Sequence, residues 1–507
     1  MSMKPLHKTR SERHLARYAL VGIWALLTTG CAGSAGVSSG SYRDAVDKIL
    51  DAPPVDQVHF GVFAQDARTG QVLYSRNAHR KFVPASNQKI LGTATALSLL
   101  GPEYRYQTAL WATGPVEEGV LDGDLVLVGS GDPTLSRRYW ESGDAAMAAL
   151  ADSLRAAGVH HVRGALVADV SAWDSTTVGP TWEVEDLRFA YGATGGAFAL
   201  EQGELVLVLR GADAPGETAQ VQWSPSGAPA YVTPRIVTWP ADSSSRVRAS
   251  YFPESRRLVV EGRVGAGAVD TVSVALRDPV RQATATLARV LEEKGVVVEG
   301  GSTVAWTPGA LLGQGCRSGE IRSCAAAAPL AALASPPLTD IIAGILEPSQ
   351  NWMTEQLVRT LGAELGEEGS WSEGVDVITR FLVDEVGVDS LDVAPRDGSG
   401  LSAYNLVTPR ALVRVLQHMA AGPYAEAYRS AMAEPGEEGS TLARRLEGYE
   451  GRVFAKTGTI SNVNSLSGYL VGRDGREIIF SILSNGSGLP SSRVRRAIDN
   501  VITVLAG

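Results

Sequence analysis

A serine and a lysine one helical turn apart are the first residues in this sequence that could perform covalent chemistry. Ser86 and Lys89 lie in the stretch KFVPASNQKILGTATALSLL, which covers residues 81–100. Apolar residues recur at helical spacing after Pro84, which predicts a buried helix beginning near Ser86; they are Ile90, Leu91, Ala94, Leu97 and Leu100. Residues three apart share a helix face, and an amine of lowered pKa can take the proton of a serine hydroxyl. The stretch therefore predicts a nucleophile with its base.

A lone S-x-x-K motif is more often a surface serine that precedes a solvated lysine. The composition of the chain helps to distinguish this interpretation from a catalytic pair. The chain has only seven lysines among its 46 basic residues. A lysine amine can lose its proton, whereas an arginine guanidinium cannot, so a scarce lysine at this position favours a chemical role for Lys89. Ser86 would also lie at the positive end of the helix dipole, which stabilises developing negative charge.

A second motif with chemical potential is Lys456-Thr457-Gly458-Thr459, in a strand-like run near the C-terminus. A glycine in an edge strand lets a ligand backbone approach closely. The lysine supplies positive charge, and the threonine hydroxyls can hold a carboxylate. The motif predicts a binding edge for an anionic, peptide-like ligand.

Ser349 and Asn351 form a third polar pair, at the junction of two predicted helices next to Glu347-Pro348. Ser349 could relay a proton, and the amide of Asn351 could orient a substrate carbonyl. A polar Ser-x-Asn at a helix junction is also a common helix cap, and without the other motifs that interpretation is preferred.

Composition limits the remaining classes of function. The 507-residue chain has a formal net charge of −9 and a pI near 5.5, which argues against nucleic acid as a partner. The length predicts two to four domains. The seven histidines fall in no catalytic context, and no metal-binding pattern is visible, so we expect neither a metal nor a cofactor.

The N-terminus has the pattern of an export signal, assigned to residues 1–31. Basic residues precede an apolar stretch over residues 18–29 that is too short to span a bilayer. It ends in Leu27-Thr28-Thr29-Gly30-Cys31, which resembles a bacterial lipoprotein signal with lipid attached to Cys31. Cleavage at a later small-residue site, which would give a soluble product, stays open. Residues 32–42 are predicted to be a linker.

Two further cysteines, Cys316 and Cys324, lie in the loop-like stretch GCRSGEIRSC. In an exported protein this spacing predicts a disulfide that closes a small loop. A zinc site is disfavoured because the spacing is wrong and no histidine lies nearby.

The order of predicted elements gives an α/β (α+β) fold with an antiparallel sheet flanked by helices and interrupted by a β-rich insertion. Residues 43–104 contain a first helix, a β-hairpin and the Ser86 helix. Residues 105–325 contain many short strand-like runs and form the insertion, which we expect to comprise two subdomains. Residues 326–507 contain helices, then three adjacent antiparallel strands and a closing helix.

The three motifs, in the order S-x-x-K, S-x-N and K-T-G, resemble those of the penicillin-recognising serine enzymes. About 260 residues separate the first motif from the second, a much longer interval than in β-lactamases. The chain therefore resembles the penicillin-binding protein 4 type D-alanyl-D-alanine carboxypeptidases (S13 peptidases), whose transpeptidase-like domain is split by a large insertion. Further matches are VPASNQKILGTATAL, GDLVLVGSGDPTL, GPTWEVEDLRFAYGA, DGSGLS and GSTLARRL.

The resemblance implies a covalent mechanism at a D-Ala-D-Ala terminus. Ser86 would attack the carbonyl of the penultimate D-alanine and form an acyl-enzyme. Lys89, held near Ser349 and Lys456, would act neutral as the base, since a neighbouring cation lowers an amine pKa. Ser349 would pass the proton to the departing D-alanine, and Asn351 would hold the peptide.

The resemblance also implies the binding groups and partners. Thr457 and Thr459 would hold the terminal carboxylate beside Gly458, and the backbone N–H groups of Ser86 and Thr459 would form the oxyanion hole. The substrate would be peptidoglycan stem peptides, β-lactam antibiotics would bind covalently, and cross-bridge cleavage (DD-endopeptidase activity) stays open. The implied location is the periplasmic side, with a membrane contact through any lipid on Cys31.

Two alternative functions remain. A serine β-lactamase would share the chemistry and differ in releasing the hydrolysed drug rapidly. A non-catalytic peptidoglycan-binding scaffold would tolerate the loss of Ser86 or Lys89, and the intact motif set counts against it.

Overall fold

The computed structural model describes residues 39–193, 195–225, 231–252, 254–255, 257–306 and 328–507. Residues Ser39–Gly507 form one compact unit.

The elements are numbered along the described part of the chain. The α-helices are α1 (Ser39–Leu50), α2 (Lys89–Leu100), α3 (Gly143–Ala156), α4 (Pro279–Glu293), α5 (Leu338–Leu346), α6 (Asn351–Leu365), α7 (Trp371–Asp384), α8 (Pro409–Ala421), α9 (Ala425–Ser430) and α10 (Ser491–Ala506). Short 3₁₀ helices cover Ala85–Gln88, Val184–Arg188, Ala190–Gly192, Glu201–Gly203 and Ser390–Asp392. The strands are β1 (His59–Asp66), β2 (Val72–Arg76), β3 (Gln107–Ala112), β4 (Val116–Glu117), β5 (Val120–Leu121), β6 (Leu125–Val128), β7 (His161–Val162), β8 (Leu166–Asp169), β9 (Glu204–Arg210), β10 (Gln220–Ser224), β11 (Val232–Trp239), β12 (Arg246–Phe252), β13 (Arg257–Gly265), β14 (Val269–Ala275), β15 (Val297–Val298), β16 (Ser302–Ala305), β17 (Ala331–Ala334), β18 (Val393–Ala394), β19 (Leu406–Val407), β20 (Val453–Ile460), β21 (Val463–Val471) and β22 (Glu477–Asn485).

The principal sheet joins the two ends of the chain. Its strand order is β2-β1-β22-β21-β20, and every neighbouring pair is antiparallel. The N-terminal hairpin thus pairs with the C-terminal meander, and β20, which carries Lys456, forms an edge. The antiparallel sheet predicted from the sequence is confirmed.

Helices cover both faces of this sheet, because its strands are apolar on both sides. In β22, Ile478, Phe480 and Ile482 pack into the core shared with α1 and α10, whereas Ile479 and Leu483 pack into the opposite core with α2 and α5 to α8. Alternate side chains point to opposite faces, so a single strand contributes to both cores. The helix-flanked fold class is confirmed.

The chain between α2 and α5 is rich in strands, as predicted. One sheet has the order β16-β8-β6-β3-β17 and shares its core with α3 and α4. Two three-stranded sheets, β10-β9-β14 and β11-β13-β12, enclose a further core. The predicted helix after Asp278 is also present, and the Asp278 side chain accepts a hydrogen bond from the backbone N–H of Arg281 at 3.3 Å. The exact domain boundaries given above remain a prediction.

Two of the predicted features lie outside the described residues, the export signal with Cys31 and the pair Cys316 and Cys324. The last four residues of the predicted linker, 39–42, belong to helix α1. Among the helices that are described, none combines the length and apolar character that crossing a membrane would require.

Candidate active site

The predicted nucleophile lies in a tighter helix than expected. Ser86 belongs to the 3₁₀ turn Ala85–Gln88, and the α-helix begins only at Lys89. In a 3₁₀ helix residues i and i+3 are eclipsed, which brings the two side chains closer than an α-helix would. Lys89 Nζ donates a hydrogen bond to Ser86 Oγ at 2.8 Å. The preceding residue, Ala85, is buried with φ +47°, a conformation that a non-glycine residue adopts at an energetic cost.

Lys89 is fully buried and has its hydrogen bonds satisfied. Besides Ser86, its Nζ donates to Asn351 Oδ1 at 2.7 Å and to the Ser399 carbonyl at 2.8 Å. Burial lowers the pKa of Lys89 from its ordinary value to about 7, although the negative charges of Glu355 and Asp397 act to raise it. An amine with a pKa near neutrality is suited to act as a general base.

Strand β20 lies directly against the Ser86 turn. The side chain of Asn87 donates to the Lys456 carbonyl at 2.8 Å, and Ser465 Oγ on β21 donates to the Pro84 carbonyl at 2.7 Å. A Cβ on Gly458 would come within 2.9 Å of both the Pro84 carbonyl oxygen and the Ser86 nitrogen. Only glycine permits this approach, which is the structural reason for the glycine of the K-T-G motif.

Lys456 is the second fully buried amine of the site. Its Nζ donates to the Thr457 carbonyl at 2.9 Å. Burial, and then the positive charge of Lys89, hold the pKa of Lys456 well below its usual range. The sequence predicted that a neighbouring cation would lower the pKa of Lys89. Burial lowers it instead, and the effect of a neighbouring cation falls on Lys456.

The two threonines of this strand differ in exposure. Thr457 is buried, and its Oγ1 donates to Thr441 Oγ1 at 2.8 Å. Thr459 is exposed, and its Oγ1 donates to the Gly458 carbonyl at 2.8 Å. A ligand beside the strand could reach the Thr459 hydroxyl without displacing another side chain.

The Ser-x-Asn motif lies at the start of α6, but neither of its predicted residues is the cap. Gln350 caps the helix by accepting from the backbone N–H of Met353 at 2.9 Å. Asn351 is thereby free to contact Lys89, and its Nδ2 donates to the Tyr191 carbonyl at 3.0 Å. Ser349 is half-buried with φ +66°. Because Lys89 gives its three N–H groups to Ser86, Asn351 and Ser399, it donates none to Ser349.

Comparison with known proteins identifies the family. The model of the D-Ala-D-Ala carboxypeptidase 3 (S13) family matches residues 42–506. The chain belongs to this family. It is thus an enzyme of the D-alanyl-D-alanine carboxypeptidase class, as the three motifs predicted.

Individual S13 relatives match over most of their length. A D-alanyl-D-alanine carboxypeptidase of Actinomadura sp. (strain R39) is 33% identical over 473 residues, which are 91% of this chain and 84% of that protein. D-alanyl-D-alanine carboxypeptidase DacB of Haemophilus influenzae is 24% identical over 446 residues, 86% of this chain and 88% of that protein.

A solved structure has the same fold. Penicillin binding protein 4 (dacB) from H. influenzae superposes with a TM-score of 0.74 at 22% identity, covering 91% of this chain and 99% of that one. A second structure of that protein, in complex with a β-lactam, gives a TM-score of 0.69 at the same identity and coverage.

Three residues that surround Lys89 were not predicted from the sequence: Ser399, whose carbonyl accepts from Lys89 Nζ, and Glu355 and Asp397, whose carboxylates accept from the backbone around Ser399. The sequence contains two signals for them: Asp397 and Ser399 belong to the D-G-S-G-L-S stretch shared with the family, and Glu355 lies four residues after Asn351 on the same helix face. Within the described residues no group of three His, Cys, Asp or Glu side chains could hold a metal ion.

Proposed function

We propose that this S13 enzyme removes the terminal D-alanine from peptidoglycan stem peptides through an acyl-enzyme on Ser86. The observation that carries the proposal is the 2.8 Å contact between Ser86 Oγ and the nitrogen of a buried lysine whose pKa is about 7. A serine hydroxyl needs such a base to become nucleophilic, and in its neutral form Lys89 can take the proton.

In the proposed acylation, Ser86 Oγ bonds to the carbonyl carbon of the penultimate D-alanine while its proton passes to Lys89. The peptide C–N bond then breaks, and the departing D-alanine nitrogen receives a proton through Ser349. Water hydrolyses the ester and releases the shortened peptide. The backbone N–H groups of Ser86 and Thr459 would stabilise the oxyanion, a contribution typically worth ~3 kcal/mol per donor.

In the proposed complex, the substrate lies along the edge strand β20. The close packing of Gly458 on the Ser86 turn supports this orientation, since a peptide beside the strand would meet the nucleophile. Thr457 and Thr459 would hold the terminal carboxylate, Lys456 would lie beside them as a further N–H donor, and Asn351 would hold the peptide backbone. Penicillins would acylate Ser86 in the same orientation and be released slowly.

Labelling with a fluorescent penicillin tests the nucleophile, with the intact mass of the adduct followed over hours. We expect a stable adduct on the wild type and none on Ser86→Ala. Ser98→Ala is the matched control, because Ser98 lies on α2 with its hydroxyl directed at the Met419 sulfur; it should label normally. Labelling of the Ser86→Ala protein would contradict the proposal.

The same experiment separates the alternatives. Rapid release of hydrolysed drug from the wild type would identify a β-lactamase, and no adduct at all would favour a scaffold. Release of free D-alanine from a synthetic stem peptide, compared with cleavage of a cross-linked peptide dimer, measures carboxypeptidase against endopeptidase activity.

We further propose that the protein is exported to the periplasmic side, with lipid on Cys31 and a disulfide between Cys316 and Cys324. The signal-like N-terminus and the even cysteine pair that remains after lipidation support this proposal. The intact mass of the wild-type protein purified from the membrane fraction should exceed that of the Cys31→Ser protein by the mass of the lipid. Two free thiols in the non-reduced protein would exclude the disulfide.

A further inference from the structure

The third acceptor of Lys89 is provided by a loop rather than by one of the three motifs. Lys89 Nζ donates to the carbonyl of Ser399 at 2.8 Å. Ser399 belongs to residues 397–402, which we call the DGSGLS loop. The position of its carbonyl therefore helps to fix the Lys89 nitrogen relative to Ser86.

Two buried carboxylates hold this loop in place. Glu355 of α6 accepts from the backbone N–H of Ser399 at 2.7 Å, from that of Gly398 at 2.9 Å and from Trp371 Nε1 at 2.8 Å. Glu355 is only 2% exposed. Both backbone amides directly precede the Ser399 carbonyl along the chain, so a displacement of the Glu355 carboxylate would shift the carbonyl that Lys89 contacts.

Asp397 holds the other half of the DGSGLS loop. Its carboxylate accepts from the backbone N–H groups of Gly400 at 2.8 Å and Ser402 at 2.7 Å. It also accepts from Asn405 Nδ2 at 2.7 Å and Trp182 Nε1 at 3.0 Å. Burial raises the pKa of Glu355 to about 7, with a further contribution from the charge of Asp397, and it raises the pKa of Asp397 above its ordinary value. All seven contacts to the two carboxylates come from N–H donors, which act in the opposite direction and favour the ionised forms.

The charges around Lys89 are unequally distributed. Glu355 and Asp397 raise its proton affinity, in opposition to burial. Lys456 is equally buried, and the positive charge of Lys89 lowers its pKa further in addition to burial. The charged groups that face this cluster from the surrounding elements are Lys89 of α2, Lys456 of β20, Arg359 of α6 and, through Arg359, Asp174 and Glu368.

We propose that Glu355 and Asp397 are positioning residues that act on Lys89 in two ways: they fix the Ser399 carbonyl that orients its nitrogen, and their negative charges set its affinity for a proton. They touch neither substrate nor the reacting atoms. The inference rests on the proposed function, because it assigns a purpose to the tuning of the Ser86 base.

The proposal makes a prediction with a defined sign. Removal of one buried negative charge lowers the proton affinity of Lys89, so the rise of the acylation rate with pH should move to lower pH by about one unit. The weaker base should also lower the plateau rate. A residue that only held the loop would reduce the rate without moving the midpoint.

The test is the pH profile of the acylation rate constant of the intact enzyme with a fluorescent penicillin. Glu355→Gln should shift the midpoint to lower pH, and Glu355→Asp, which retains the charge, should restore the midpoint while the rate stays reduced. Glu364→Gln is the matched control, since it removes an exposed carboxylate from the same helix. An unchanged midpoint in Glu355→Gln would overturn the electrostatic role.

A second measurement covers the case in which Glu355→Gln does not fold. With only seven lysines in the chain, the amines of the ¹⁵N-lysine-labelled wild type can be titrated individually by NMR, with Lys89→Arg and Lys456→Arg for assignment. Lys89 should titrate at higher pH than Lys456, and the reverse order would overturn the proposal. Asp397→Asn supplies an independent variant for the pH profile.

Failure of the inference and failure of the proposed function can be distinguished. Labelling of Ser86→Ala would refute the function, whereas the order of the two lysine titrations in the wild type does not depend on which residue is acylated. Loss of labelling in Ser86→Ala together with an unchanged midpoint in Glu355→Gln would refute the inference alone.

Discussion

At the scale of single residues, the site depends on a lysine that the fold keeps close to losing its proton. Lys89 is fully buried and meets three acceptors, so its geometry suits the ammonium form while its burial disfavours the charge. The two effects leave its pKa at about 7. A small change in charge near this amine should therefore have a large effect on the reaction.

The first prediction at this scale concerns pH. The wild-type acylation rate should rise with pH through about 7, because only the neutral amine of Lys89 can accept the Ser86 proton. Lys89→Met should lower the rate by about 10²–10⁴-fold, the usual contribution of a general base. Stopped-flow acylation by a chromogenic β-lactam measures both effects. Lys294→Met, at a partly exposed ion pair, is the control, and a flat profile below pH 7 would exclude Lys89 as the base.

The second residue prediction concerns Gly458. In Gly458→Ala the new Cβ would lie 2.2 Å from Ser465 Oγ and 2.9 Å from two backbone atoms of the Ser86 turn, so strand β20 must move away. We expect a loss of about 1–3 kcal/mol in the free energy of unfolding and a large loss of penicillin labelling.

Gly92→Ala provides the comparison for Gly458→Ala. The nearest atom to a Cβ on Gly92, the Val358 Cγ2, lies at an ordinary contact distance of 3.5 Å, and Gly92 is in the middle of α2. This variant should label normally and gain up to about 1 kcal/mol of stability from helix propensity. Wild-type labelling by Gly458→Ala would show that the strand need not pack so closely.

At the scale of elements, the start of α6 decides which residues can reach Lys89. Gln350 caps the helix and leaves Asn351 in its first turn, directed at Lys89. Glu355 follows one turn later and reaches the DGSGLS loop from the same helix. A single helix thus positions both a direct contact of Lys89 and the support of the loop that contacts it.

The prediction at this scale is that the cap and Asn351 can be separated. Gln350→Ala removes the side-chain acceptor for the Met353 N–H and should cost about 0.5–2 kcal/mol of stability. Labelling should fall only modestly, because Asn351 itself is retained. Asn351→Ala should have the opposite balance, with a larger loss of labelling than of stability. Thermal unfolding and labelling rates of the two variants test this, and equal labelling losses would contradict it.

At the scale of the whole molecule, a buried arginine connects the β-rich part of the chain to the helices of the site. Arg359 of α6 lies 4.7 Å from the ring of Trp173 and 4.6 Å from that of Trp371. Its guanidinium donates to Asp174 Oδ1 at 2.6 Å and to the Gly369 carbonyl at 3.0 Å. Trp173 and Asp174 follow strand β8 of the inserted sheet, so the contact joins distant parts of the sequence.

Arg359→Leu should therefore destabilise the fold strongly. The side chain of Arg359 is fully buried, and its loss leaves the partly buried carboxylate of Asp174 and several carbonyls without their donor. We expect a cost of about 3–5 kcal/mol, measured by chemical unfolding. Arg289→Leu breaks two partly exposed ion pairs, with Asp144 and Glu293, and should cost less than about 1 kcal/mol. Similar losses in the two variants would contradict this assignment.

The sequence by itself determined the family, the order of the elements and the residues of the three motifs. These features depend on local spacing, such as the i,i+3 relation of Ser86 and Lys89, the alternation in β20 to β22 and the capping of α4 at Asp278.

Only the tertiary structure decided how the motifs meet. The 3₁₀ turn at Ala85 follows from packing against Gly400 and Gly458, since a Cβ on either glycine would strike that turn. Two of the three acceptors of Lys89, Asn351 and Ser399, lie 262 and 310 positions away in the sequence. The charges that counter its burial come from Glu355 and Asp397, in similarly distant segments. A pKa depends on burial and on charges brought near in space, and neither quantity can be read from residue spacing.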